Sequence, residues 1–206
     1  LVLLSSSIHS TLDWEWIRFE KFKFIKIIKN KNLMDSKCIN REQAIIILNK
    51  MLSNKSLIIH SYSVALVMEY YASIINENKD LFYITGLLHD ADYEKYPKKH
   101  PNIIVEELYN INENKIAYAI SCHYSKWNNK CESNLDKYLL ACDELTGFIV
   151  ACTKVRPNGI SDIKAKSIKK SLKKKSFAAS VDRNEIKIGI ELIGIELDTH
   201  IDNIIN

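Results

Sequence analysis

Glycine and proline are scarce, at five and three in 206 residues. A β sandwich or barrel needs such residues at its many tight turns, so their scarcity argues against an all-β architecture. Cysteine is neither abundant nor patterned. Cys38, Cys122, Cys131, Cys142 and Cys152 form no CxxC pair, and their number is odd. That argues against a disulfide framework and predicts a reduced, cytoplasmic protein. Cys122 beside His123 has the form of a thiol nucleophile, but a small buried apolar residue is the favoured reading. No uninterrupted run approaches the ~18 apolar residues that span a membrane. The opening Leu1 to Leu4 is too short for the apolar core of a signal peptide. Neither sign of charge dominates. A net charge of +4 permits an anionic small-molecule partner and does not by itself indicate nucleic acid.

What is present is helical periodicity. Residues 1–33 stand apart: three serines, then the aromatic-basic stretch from Trp14 to Phe24. They are read as an N-terminal extension, unstructured or not native, in preference to an amphipathic surface helix. From about Asn40 the pattern is helical nearly to the end. Asn40 with Gln43 has the form of a capping box opening Arg41 to Leu52. A second helix is predicted from Leu57 to Ile75, with His60, Val64, Val67, Tyr71 and Ile74 on one face. Asp80 is expected to cap the helix leading to His89 and Asp90. His100-Pro101 opens another. Asn112 is expected to cap the helix in which Ile116, Ile120 and His123 share a face, before a polar segment from Ser125 to Asn134. A long helix follows from Leu135 to Val155. Arg156-Pro157-Asn158-Gly159 breaks the chain. Ser161 is expected to cap a lysine-dense helix with Ile163, Ile168 and Leu172 inward. Asp182 with Glu185 opens a helix to about Ile193, and a last one starts near Asp198. No strand alternation and no internal repeat are present.

The residues that carry chemistry are polar groups on these apolar stripes. Leu81, Ile84, Leu88 and His89 recur at helical spacing, and Asp90 follows at once. His60, His123 and Asp143 each join an apolar face, and His100 stands at a helix start. A buried unpaired acid such as Asp143 is costly, so it needs a cation or hydrogen-bond donors. Neutral imidazoles beside carboxylates suit a divalent transition metal. Separate helices that each send ligand-type groups inward are how helical bundles build metal sites.

The order His60, then His89-Asp90, then Asp143 resembles the defining motif of the HD superfamily of metal-dependent phosphohydrolases. The flanks agree, in His60-Ser61-Tyr62-Ser63-Val64-Ala65 and Gly86-Leu87-Leu88-His89-Asp90. Later segments, from Asp143 to Ala151, Arg156-Pro157 and Phe177 to Arg183, are similar to a bacterial branch of predicted HD hydrolases. The resemblance covers about residues 40–200. It implies an all-α fold: a single HD-type bundle of six to eight helices within residues 34–206. It also implies that His60, His89, Asp90 and Asp143 are metal ligands. In two-metal members two further histidines lie between the pair and the final Asp, and His100 and His123 occupy those places. Two divalent ions (Mn, Fe, Mg, Ni or Co) are therefore expected, about 3.5–4 Å apart. Many members carry Lys a few residues after the pair. Here Tyr93 stands there, with Asp92 before it, and Lys95, Lys98 or Lys99 are the substitutes on offer.

The function this implies is hydrolysis of a phosphate ester or anhydride, with a nucleotide as the expected partner. Asp90 is assigned as the bridging carboxylate, and Asp92 or Glu144 as the group that steers a proton. Lys98, Arg156, Lys175 and Arg183 are candidates to hold phosphate oxygens. The alternatives are a di-iron oxygenase of the same ligand set and a non-catalytic metal-dependent binding module. Nucleic acid is disfavoured, because the basic helix lacks aromatics for base stacking. Membrane association is not expected.

Overall fold

A computed structural model describes residues 39–206. The stretch from Trp14 to Phe24 and Cys38 lie outside the described residues. Nine α-helices and no strand occur among those residues. The fold is all-α, with one helix more than the upper end of the expected range.

The helices are α1 (Arg41–Met51), α2 (Lys55–Ile74), α3 (Lys79–Leu88), α4 (Asn102–Asn110) and α5 (Asn114–His123). Then come α6 (Asn134–Lys154), α7 (Ala165–Leu172), α8 (Arg183–Ile193) and α9 (Leu197–Ile205). Several ends follow the sequence signals. Asn40 and Gln43 close a capping box on α1, as expected, and Ser133, at the end of the segment read as a loop, forms one with Asp136 on α6. Asp182 caps α8 through the N–H groups of Asn184 and Glu185.

Three caps differ from expectation. Asn78, not Asp80, caps α3. Asp80 lies in the first turn, where its carboxylate accepts from Arg41 Nε at 2.6 Å. Asn112 adopts a left-handed conformation (φ 65°) and ends the preceding turn, so Glu113 occupies the cap position of α5. Asn tolerates that region better than most residues. Ser161 lies in a 3₁₀ turn (Gly159–Asp162), and the lysine-dense helix begins only at Ala165.

Helix α2 packs mainly on α3 and α6, α1 closes over α3, and α4 pairs with α5. Their apolar faces form one core, with Leu48, Met68, Tyr71, Phe82, Leu108 and Leu139 among its largest buried members. Ile74, expected on the inner face of α2, is exposed, because the last turn directs Tyr71, Ala72 and Ile75 to the core in its place. By length and mean hydropathy α2 is long and apolar enough to cross a membrane. A count of consecutive apolar residues missed this, since Ser61, Ser63 and Glu69 interrupt the run.

A second core gathers Leu145, Phe148, Ile149, Ile168, Ile186 and Ile201 beneath α7, α8 and α9. Helix α6 serves both cores. Leu139 and Cys142 face the first and Leu145 and Phe148 the second, so Asp143 sits where the two meet. A buried hydrogen-bond chain ties α9 into this frame. Tyr71 Oη lies 2.5 Å from His200 Nδ1, and His200 Nε2 lies 3.0 Å from the Ala141 carbonyl.

A close helix contact beneath the site is set by Gly86. A Cβ there would fall 2.9 Å from both Cα and N of Ala65, which are backbone atoms that cannot swing aside. Gly86 thus lets α3 lie directly on α2, the helices that deliver His89 and His60. Gly86→Ala is expected to destabilise the fold by about 1–3 kcal/mol through overpacking. Urea unfolding would read this as a lower midpoint at unchanged slope.

Candidate metal centre

All seven residues from Phe82 to Leu88 are buried, so α3 is enclosed on every side and ends with His89 at zero exposure. The other donors arrive from different elements. His60 comes from α2, His123 from the last turn of α5, Asp143 from α6, and Asp90 and His100 from the two ends of the turn between α3 and α4.

They converge. His60 Nε2 lies 2.9 Å from Asp143 Oδ1 and 3.2 Å from His89 Nε2, and His89 Nε2 lies 3.2 Å from Asp143 Oδ1. Asp90 faces both sides of the cluster. Its Oδ2 is 3.7 Å from His60 Nε2 and 3.6 Å from His89 Nε2. Its Oδ1 is 3.2 Å from His100 Nε2 and 3.7 Å from His123 Nε2. Two donor groups result, His60-His89-Asp90 and Asp90-His100-His123, sharing one carboxylate.

The ring orientations are held from behind. His89 Nδ1 is 2.7 Å from the Gly86 carbonyl, and His123 Nδ1 bonds the Ile120 carbonyl, so each ring donates one helical turn back. With Nδ1 as donor, Nε2 is the atom of each ring left to act as a ligand, and it is aimed into the cluster. Gly147 passes beneath His60, where a Cβ would come within 3.4 Å of Nδ1 and Cε1 of the ring.

Such a set brings lone pairs and negative charge together and calls for positive charge at its centre. Burial pushes the His89 imidazole down, but the Asp90 and Asp143 carboxylates outweigh it and hold it up at about 10. Burial likewise favours protonation of Asp143, yet His89 and His60 hold it well below the usual carboxylate range. Imidazole and carboxylate donors a few ångströms apart, with the outer nitrogens of His89, His100 and His123 already hydrogen-bonded, fit a divalent cation.

A cavity of about 600 Å³ opens over the cluster. Its walls show which expected residues reach it. Glu144 lines it, and burial, then Asp143, raise that carboxyl to about 8. Glu144 also accepts the backbone N–H of Asp182 at 3.0 Å. Asp92 does not line the cavity. It is fully buried with both oxygens engaged, which removes it from proton steering. Lys98 and Lys175 are exposed and Arg156 half-buried, and none of the three lines the cavity. Arg183 is turned away: its guanidinium donates to the carbonyls of Phe177, Ala178 and Val181.

The lysines that do line the cavity are Lys126 and Lys154, accompanied by Tyr93 and Tyr124. A helical signal pointed to Lys154. Asp143, Gly147, Val150 and Lys154 follow one another at steps of four, three and four on α6, and all four line the cavity. Nothing comparable marked Lys126, which sits in a short 3₁₀ turn. Cys122 is buried beside Cys131, and its thiol donates to the Lys130 carbonyl. The Cys131 contact and burial push its pKa up, the opposite of an activated nucleophile. All four described cysteines are free.

Residues 57–147 match the family model described as the HD domain. The chain carries an HD domain. HD domains bind divalent metals and are in general metal-dependent phosphohydrolases. The match begins in α2 and ends in α6, and so contains every donor of the cluster. The cavity wall from Val150 to Glu185 lies beyond it. Searches of curated proteins and of solved structures give no match.

Proposed function

We propose that this HD domain hydrolyses a phosphate ester or anhydride, with a nucleotide as substrate, and that it works with two divalent ions. The observation that carries the reading is the pair of donor groups sharing Asp90 at the base of a cavity that also presents Lys126 and Lys154. His60, His89, Asp90 and Asp143 would hold one ion, and Asp90, His100 and His123 the other. Divalent ions at such a site supply a water of lowered pKa and neutralise charge on phosphoryl oxygens.

The chain's own residues do the rest. Lys126 and Lys154 place ammonium groups at the wall, where they attract and orient an anion. Tyr93 and Tyr124 flank the His100 ring, with centroids 5.3 and 5.7 Å away, and offer aromatic surface beside the second donor group. Glu144 lines the cavity beside Asp143 without joining the donor set, and we assign it to proton transfer.

Phosphate release from a panel of nucleotides with Mn²⁺ tests the reading, with chelated protein as the control. Metal-dependent release is the expected result. Metal-replete protein that turns over no phosphorylated compound would instead be a binding module. Oxygen consumption by the iron-loaded protein would favour the di-iron oxygenase.

A further inference from the structure

His100 differs from the other two histidines of the cluster whose Nδ1 is held. His89 and His123 end helices, so a carbonyl three residues back is available to each ring. His100 follows a turn and has no helical carbonyl behind it. Its Nδ1 instead lies 2.6 Å from Asp92 Oδ1. The second oxygen of Asp92 accepts the backbone N–H groups of Ile103 at 3.0 Å and Ile104 at 3.1 Å. These are free donors of the first turn of α4, which Pro101 at the cap position leaves unserved. Asp92 therefore performs two acceptor tasks at once, and it is completely buried while doing so.

We propose that Asp92 is the positioning residue of the second metal site, holding His100 as the Nδ1–H tautomer with its Nε2 lone pair directed at the ion shared with Asp90. This rests on the two-ion reading above. The acceptor geometry dictates the tautomer. A carboxylate cannot donate, so the ring must donate from Nδ1, and Nε2 is left as the ligand atom. The same carboxylate fastens the ring to the start of α4, so ring orientation and helix position are set together. Glu113 and Asp136 are also buried, but they serve backbone N–H groups away from the cluster.

Asp92→Asn tests the tautomer with little change of shape. An amide has one acceptor oxygen where two tasks need one each. If that oxygen keeps the Ile103 and Ile104 N–H groups, the NH₂ faces His100 Nδ1 and makes it an acceptor. The proton then moves to Nε2 and points at Asp90 Oδ1, 3.2 Å away in the present arrangement.

Mn²⁺ titration of both proteins by calorimetry should give two sites in the unmutated chain. In Asp92→Asn one site should be retained and the other weakened by about 10–100-fold, the usual effect of losing a group that orients a ligand. Two sites of unaltered affinity in Asp92→Asn, with the fold intact by circular dichroism, would overturn the proposal. A single site in the unmutated protein would instead count against the two-ion reading.

A readout independent of metal and of any variant separates the two. Imidazole ¹⁵N spectra of the metal-free unmutated protein should show His100 protonated at Nδ1. Protonation at Nε2 alone would overturn the role of Asp92, whatever the stoichiometry.

Discussion

On the two-ion reading proposed above, Asp90→Ala is expected to lose both metal ions and, with them, turnover. Asp90 is the one residue present in both donor groups, one oxygen toward His60 and His89 and the other toward His100 and His123. No neighbouring carboxylate can take over, because Asp143 lies with His60 and His89 only. Burial disfavours the Asp90 charge, but His89 and His123 hold the carboxyl down at about 2, so it is an anion throughout the working range of pH.

Asp143→Ala should differ in kind. It strips an anionic donor from the first group and leaves Asp90-His100-His123 complete, so stoichiometry should fall toward one, not zero. Activity should still vanish, by more than about 10³-fold in either variant, if both ions are needed to clamp the reacting phosphoryl group. Elemental analysis with phosphate-release assays on the two variants checks this. Equal, undiminished metal content in both would remove these carboxylates from the ligand set.

Arg183→Ala is expected to damage substrate binding while sparing the metals. The guanidinium donates from Nη1 to the Ala178 carbonyl at 2.6 Å and to the Val181 carbonyl at 2.7 Å, and from Nη2 to Phe177. It also lies 5.2 Å from the Phe148 ring centroid, between the second core and the loop. These bonds hold a loop in which Ala178 adopts a left-handed backbone (φ 45°), a conformation that non-glycine residues seldom take unaided. The loop supplies Ala178, Ser180, Val181 and Asp182 to the cavity wall.

Removing the clamp should raise KM about tenfold or more, since a displaced wall costs binding contacts while leaving the donor groups in place. Stability should drop by about 1–3 kcal/mol from the lost charge-assisted bonds. Arg183→Lys should recover little, because an ammonium lacks the planar fork that reaches three carbonyls. Steady-state kinetics beside metal analysis separates the effects. Unchanged KM with a lowered melting temperature would leave Arg183 with a purely structural role.

How far the chain could be read without its structure divides along physical lines. The helices were legible because burial on one side imposes a 3.6-residue period, and some of their starts because Asn40 and Asp182 have side chains that accept backbone N–H groups. The donor residues were legible for the same reason: a histidine or aspartate on an apolar stripe stands out against its neighbours, and the resemblance supplied their order. Local pattern misplaced Asp80 and Asn112 as caps: Asn78, two residues earlier, takes the cap of α3 while Asp80 pairs with Arg41 across the fold, and Asn112 takes up the left-handed turn that ends the preceding helix.

Roles set by which groups meet across the fold were decided by the tertiary structure alone. Arg183 reads as a phosphate ligand in sequence and is occupied with three carbonyls once the loop closes on it. Asp92 reads as a proton-steering group in sequence and is buried between His100 and the start of α4. Lys126 and Lys154 reach the cavity because α6 and the turn after α5 converge there, while Lys98 and Lys175 remain in solvent. A periodic pattern reports which face of a helix is buried. It does not report which partner waits on that face, because hydrogen-bond and charge pairing depend on distances between segments that the chain brings together only on folding.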